Sequence, residues 1–171
     1  MLYRGEIKMN EIYNHERKSE LFVRGIDYID VAVSGVMLFK NQICMLKRKT
    51  PPEINSWCLP GGKVNHDETV QEAIKREFQE EINADTKNFK IIDILGVSNY
   101  IIPEKKYHCN TTIFLVKCTG NFLNNESKKH SKIGFFDFNA LPGHIAASSR
   151  DALMYYFKYL NERTNINETR N

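Results

Sequence analysis

Glu77, Glu80 and Glu81, in the stretch "REFQEE", are the side chains best placed by type and spacing to do chemistry. Thr69-x-x-Glu72 ahead of them is a capping box, which predicts a helix starting at Val70 with Thr69 as N-cap. Asn83 suits the left-handed conformation that ends a helix, although Gly adopts it more readily. Advancing about 100° per residue, Ala73, Ile74 and Phe78 form an apolar stripe, with Glu77 and Glu81 in its middle and Glu80 on its edge. Glu72, Lys75, Arg76 and Gln79 fall on the opposite face. A solvated face with i,i+4 ion pairs would account for Glu72 and Arg76. It does not account for Glu77 and Glu81, like charges four apart that point toward the core. Three carboxylates at i, i+3 and i+4 suit a hard divalent cation such as Mg²⁺, which takes carboxylate and water oxygens together with substrate phosphates.

The elements that must position this helix follow from the flanking pattern. "YIDVAVSGVMLF" (28–39) and "ICMLKRK" (43–49) read as strands around a "KNQ" turn, and "TPPEINSW" as a loop. Beyond the helix, "FKIIDILGVS" and "NTTIFLVKC" read as strands separated by "NYIIPEKKYHC", which is either loop or hairpin. A polar loop, the short strand "IGFFDF" and the amphipathic helix "SSRDALMYYFKYLN", with a serine at its start, complete the pattern. The expected organisation is a polar lead-in at 1–27, one domain at 28–161 and a frayed, flexible tail at 162–171. Strands on both sides of a central helix, with a helix to close, predict a mixed α/β sandwich.

Composition narrows the classes. The chain has 171 residues, 42% of them hydrophobic and 26% charged, which suits one globular domain. No apolar run approaches the roughly 20 residues that cross a bilayer, and the N-terminus is too polar for a secretory signal, so the default expectation is the cytoplasm, with no membrane partner. Cys44, Cys58, Cys109 and Cys118 form no C-x-x-C pair and read as small buried hydrophobes. A net charge of +3 is too mild to argue for nucleic-acid binding. Its distribution is uneven: six acids face three bases between Gly62 and Ala84. An acidic pocket in a basic surround suits a polyanion that arrives with divalent cations.

The segment from Gly62 to Ala84 resembles the Nudix box, G-x5-E-x7-R-E-U-x-E-E-x-G-U, where U is a bulky aliphatic residue. Gly62 is followed after five residues by Glu68, and after seven more by Arg76-Glu77, then Phe78, Gln79, Glu80, Glu81, Ile82, Asn83 and Ala84. Every charged position matches. The flanking "WCLPGGK" and "IGFFDFNALP" are similar to the family pattern too, which extends the resemblance over about residues 27–160. Asn83 stands in place of the last glycine, Phe78 in place of an aliphatic residue, and Ala84 is smaller than the pattern; none of these removes a carboxylate. Lys132 stands just before "IGFF", where relatives often carry an acid that serves as a further ligand or base. The nearby candidate here is Glu126, with Glu104 weaker.

The resemblance implies the Nudix fold, an α/β/α sandwich with a mixed central sheet, and a MutT-like pyrophosphohydrolase using Mg²⁺ or Mn²⁺. Its substrates are nucleoside diphosphates linked to another moiety. Glu77, Glu80 and Glu81 would be metal ligands, with Glu77 as ligand or base and Glu68 an outer ligand. Arg76 would orient a glutamate through a salt bridge. Gly61 and Gly62 would let the backbone approach metal and phosphate, with the Gly62 carbonyl as a further ligand. Arg48 resembles a family cation that meets phosphate, and reads equally as a surface charge. Tyr100 lies near where a tyrosine marks relatives that cleave dinucleoside polyphosphates, though a tyrosine among strands is more often packing. Trp57 reads as core or pocket wall and His66 as exposed; none of the five histidines stands at ligand spacing.

About 61 residues precede the box glycine, which favours a compact enzyme acting on nucleoside triphosphates or other small nucleotides over one with a large N-terminal β-subdomain. ADP-ribose, nucleotide sugars and dinucleoside polyphosphates are the alternative substrates. A non-catalytic nucleotide sensor and an isopentenyl-diphosphate isomerase share the fold. The first commonly loses the box carboxylates that this chain keeps, and the second needs an active-site cysteine motif that is not evident. Homodimers are frequent in the family, so the resemblance leaves a homodimer open.

Overall fold

The structure, a computed structural model, describes residues 28–168, with side chains described to residue 163. The lead-in at 1–27 lies outside the described residues, as do residues 169–171. Strands β1 (Asp30–Phe39) and β2 (Gln42–Arg48) form a hairpin whose turn residues, Lys40 and Asn41, both have positive φ (51° and 63°). That is the turn geometry matching the natural twist of paired strands. Strands β3 (Trp57–Cys58) and β4 (Gly61–Lys63) are two and three residues long, too short to show alternation, and the sequence reading passed over them. Helix α1 (Val70–Ile82) has the predicted bounds. Strands β5 (Lys90–Ile102) and β6 (Tyr107–Lys117) form one long hairpin closed by a 3-10 turn at Pro103–Lys105, which resolves the segment left open between loop and hairpin. Strand β7 (His130–Phe136) begins three residues before "IGFF", and helix α2 (Ala147–Glu168) continues past Asn161.

The seven strands form one mixed sheet, in the order β3-β2-β1-β6-β5, with β4 paired to β1 and β7 to β2. Only β1 and β6 run parallel among these pairs. While β6 occupies one edge of β1, the other edge changes partner. Ala32–Ser34 pair with β4, and Leu38–Phe39 pair with β2. The sheet forks between β2 and β4, and the cleft described below opens there.

Alternation along the central strands divides the core. Val33, Met37, Cys44, Leu46, Phe114 and Val116 pack against Ala73, Ile74, Phe78 and Ile82 of α1. Their neighbours Val36, Ile43, Met45, Ile113 and Leu115 pack on the other face with Ala152, Leu153 and Tyr156 of α2. This is the expected α/β/α sandwich. Full burial of each such side chain contributes about 1.5–3 kcal/mol. Gly35 makes the α1 contact close, since a Cβ there would lie 2.5 Å from the Phe78 ring. All four cysteines are buried and free, as expected.

Candidate functional site

Thr69 and Glu72 close the capping box in both directions. The Glu72 carboxylate accepts from the Thr69 N–H and hydroxyl, both at 2.8 Å. It is therefore not paired with Arg76, as a solvated face would have it, because the unsatisfied amides of the helix end claim it first. At the other end Asn83 is left-handed (φ 57°), as expected.

Arg76 instead reaches across the site. Its Nε and Nη2 donate to the two oxygens of Glu68 at 2.9 and 2.6 Å, and its Nη1 donates to Glu77 at 2.7 Å and Glu80 at 3.2 Å. Nη2 also donates to the Lys63 carbonyl, which ties the helix to β4. One guanidinium thus orients three of the four box glutamates. The bidentate contact holds the Glu68 carboxyl well down, at about 2.

Glu77 and Glu81 are buried, at 6% and 4% exposure, and Glu80 sits at the edge, as the helical stripe predicts. Glu81 accepts from the Gly61 N–H at 2.8 Å. That single donor does not compensate for burial, which pushes its carboxyl up to about 8. Burial also raises Glu77, against the opposing pull of Arg76. The Gly61 φ of 150° brings the backbone against the Val33 carbonyl, and a Cβ on Gly62 would overlap the Glu77 carboxylate. Gly62 therefore makes room for a carboxylate, and Gly61 for the backbone of β1.

The end of α1 draws in the remaining acid. Its last carbonyls, on Glu80, Glu81 and Ile82, accept from the Asn125 side chain, the Asn125 N–H and the Leu123 N–H. This packs the segment 121–126 against the helix and brings Glu126 beside Glu81. Ligand atoms of Glu81, Glu126 and His130 lie within 4.8 Å of one another. Glu126 pairs with Lys129 through Oε1 at 2.8 Å, while its Oε2 is buried with no hydrogen-bond partner. His130 was not singled out in the sequence. Its polar neighbours suggest exposure, yet it is 4% exposed at the start of β7, and burial lowers its imidazole to about 4. The only sequence signal was its position four residues after Glu126. Glu104 is exposed on the hairpin turn and is not part of this group, and Lys132 is exposed on β7 opposite Lys47.

Glu77, Glu80 and Glu81 face a cleft of about 850 Å³ that also receives Arg48, Lys63, Lys105, Tyr107, Lys129 and His130. Arg48 donates to the carbonyls of Thr50 and Pro51, so it holds the loop that forms one wall while lining the cleft. Tyr100 lines an adjoining recess, where its ring meets that of Tyr107 edge-on at 5.8 Å. The same loop carries Glu53, whose carboxylate accepts from the Ala147 N–H at 3.0 Å and so caps α2. The helix begins at Ala147, ahead of both serines of "SSRD", and Ser149 accepts from the Leu59 N–H. Trp57 packs on Phe136, and His66 is exposed, both as anticipated. Among the described residues no helix is long and apolar enough to cross a membrane.

Buried carboxylates, an unpaired carboxylate oxygen and a backbone cleared of side chains fit a divalent cation. Comparison with known proteins agrees with that assignment of class. The family model for the NUDIX domain matches residues 29–156, and the chain belongs to the Nudix family. An ADP-ribose pyrophosphatase of Methanocaldococcus jannaschii is 34% identical over 113 residues, which are 66% of this chain and 64% of that protein. An 8-oxo-dGTP diphosphatase of Proteus vulgaris is 33% identical over 78 residues, 46% of this chain and 64% of that one. The matched segments thus span less than two thirds of these relatives. The crystal structure of a MutT Nudix hydrolase from Burkholderia pseudomallei superposes with a TM-score of 0.68 at 27% identity, covering 75% of this chain and 98% of that one.

Proposed function

We propose that this protein hydrolyses the pyrophosphate bond of a nucleoside diphosphate linked to another moiety, and that its substrate is a nucleoside triphosphate or similar small nucleotide. The observation that carries this reading is the pair of buried carboxylates, Glu77 and Glu81, opening with Glu80 onto a cleft edged by Arg48, Lys63, Lys105 and Lys129. Glu77, Glu80 and Glu81 would hold Mg²⁺, with Mn²⁺ as its substitute, and the Gly62 carbonyl, Glu68 and Glu126 would complete the surroundings. When bound, the cation supplies charge against the pyrophosphate oxygens and acidifies the attacking water.

The chain's own groups do the rest. Arg76 sets the geometry of Glu68, Glu77 and Glu80. Glu77, held by Arg76 and opening onto the cleft, would serve either as a ligand or as the base that takes the proton of the water. The cationic rim gathers the polyphosphate, and Tyr100 with Tyr107 offers an aromatic wall for the nucleoside.

A second reading, ADP-ribose as substrate, is favoured by the 34% identical relative of that name. Incubation with Mg²⁺ and a panel of NTPs, oxidised dNTPs, ADP-ribose, nucleotide sugars and dinucleoside polyphosphates, with Glu81→Gln in parallel and products separated by ion exchange, tests both. Cleavage that vanishes in Glu81→Gln is the expected result, and the preferred substrate decides between the readings. Nucleotide binding without turnover would replace both with a sensor.

A further inference from the structure

His130 is the buried polar side chain that the proposed reaction leaves without a task. It sits on the turn that carries Glu126, and its N–H donates to the Glu126 carbonyl at 3.0 Å. Its own carbonyl accepts from the Asn124 side chain at 2.8 Å. These contacts anchor the backbone, but ring Nδ1 is left unsatisfied. Nδ1 is buried with no hydrogen-bond partner, and Nε2 stands 3.7 Å from Glu81 Oε1, beyond hydrogen-bonding range. A buried imidazole nitrogen without a partner is costly, and Glu126 Oε2 is orphaned in the same way.

A cation between them would partner one ring nitrogen and that oxygen together. Ligand bonds of about 2.0–2.2 Å place donors up to roughly 4.4 Å apart. The observed group, within 4.8 Å, closes on an ion with side-chain shifts of a few tenths of an ångström. Its donor set is two carboxylate oxygens and one imidazole nitrogen. Mg²⁺ prefers oxygen alone, whereas imidazole nitrogen suits first-row transition metals.

We infer that His130, with Glu81 and Glu126, forms a second divalent-cation site that takes Mn²⁺ or Co²⁺ in preference to Mg²⁺. The inference rests on the reading of Glu81 as a ligand of the pyrophosphohydrolase site, and adds to it a nitrogen ligand and a metal preference.

Mn²⁺ is the probe. Pulsed electron paramagnetic resonance of the Mn²⁺-loaded wild-type protein should show modulation from a coordinated imidazole nitrogen, and its absence would overturn the inference whatever any variant does. Titration calorimetry should show Mn²⁺ affinity lowered about 10–100-fold in His130→Gln, with the nitrogen signal lost and Mg²⁺ affinity changed less than twofold. Equal losses for both ions would mark His130 as merely structural and also overturn it. Glu81→Gln separates the two ideas. If it leaves Mg²⁺ and Mn²⁺ binding intact, the pyrophosphohydrolase reading falls, and this inference with it. If it abolishes both while His130→Gln changes neither, only this inference falls.

Discussion

Gly62 and Glu77 share one space: a Cβ on the glycine would overlap the carboxylate of the glutamate, fifteen positions along the chain. The contact joins β4 to the middle of α1, at the point where the carboxylate proposed as ligand or base is held. Gly62 does not need to be glycine for its backbone dihedrals, since its φ lies outside the left-handed region. It is glycine for room. Gly62→Ala should therefore fold with near-normal stability, because the displaced atoms are the end of a side chain. It should lose roughly 100-fold in kcat through a misplaced Glu77. Thermal melting beside steady-state kinetics checks this, and a fully active Gly62→Ala would refute it.

Arg76 bridges Glu68, Glu77 and Glu80 with a planar fork that a lysine ammonium does not reproduce. Arg76→Lys should weaken Mg²⁺ binding about 10–100-fold, and Glu68→Gln should do part of the same by releasing one arm of the fork. Calorimetric Mg²⁺ titration of the two variants reads the effect. If Arg76→Lys binds Mg²⁺ as wild type does, charge alone matters and the fork does not.

Burial of Glu81 makes the metal-free protein pH-sensitive in a stated direction. Unfolded, the carboxyl ionises near 4.5; folded, it holds its proton to about 8. The unfolded state sheds this proton first, so the group's penalty on folding is absent below about pH 4.5, grows as pH rises, and is complete above about 8. Metal-free Glu81→Gln should accordingly melt higher than wild type at pH 8 and about equally at pH 4.5, by roughly 2–4 °C for each kcal/mol relieved. Mg²⁺ affinity should rise across the same window, since the cation displaces the proton. His130 acts at the acid end. Its imidazole stays neutral down to about 4, so the unfolded chain takes up the proton first and stability declines from about pH 6.5 to 4. Melting curves with and without EDTA-stripped metal, from pH 4 to 9, distinguish these contributions.

Gly35→Ala tests the packing beneath the site. The Phe78 ring it would strike is fully buried and backed by Phe89, with ring centroids 5.3 Å apart, so the ring has little freedom to retreat. The substitution should cost about 1–3 kcal/mol in urea unfolding. Turnover at a temperature well below the melting point should persist, because Phe78 faces away from the cleft. Unchanged stability would mean that α1 shifts outward freely, and the geometry of Glu77 and Glu81 would then rest on Arg76 and the Gly61 N–H respectively.

Much of this protein is determined by local sequence. The capping box, the left-handed Asn83 and the apolar stripe place α1 to the residue, and the stripe itself predicts that Glu77 and Glu81 are buried while Glu80 is marginal. Such features depend on neighbours within one or two helical turns, where backbone geometry alone decides which side chains meet. The long strands are legible for the same reason. Short β3 and β4 are not, because two or three residues carry no period. Arg76 shows where local rules give way: Glu72 stands at the right spacing for it, but Glu68, ahead of the N-cap, takes the guanidinium once Glu72 has turned back to the helix end. The position of Glu126 and the burial of His130 were left to tertiary structure. They follow from the need of the last α1 carbonyls for donors, which a loop some 40 residues further along the chain supplies. No pattern around "NNESKKHSK" states that it will be pulled against a helix, because the groups that pull it belong to another part of the chain.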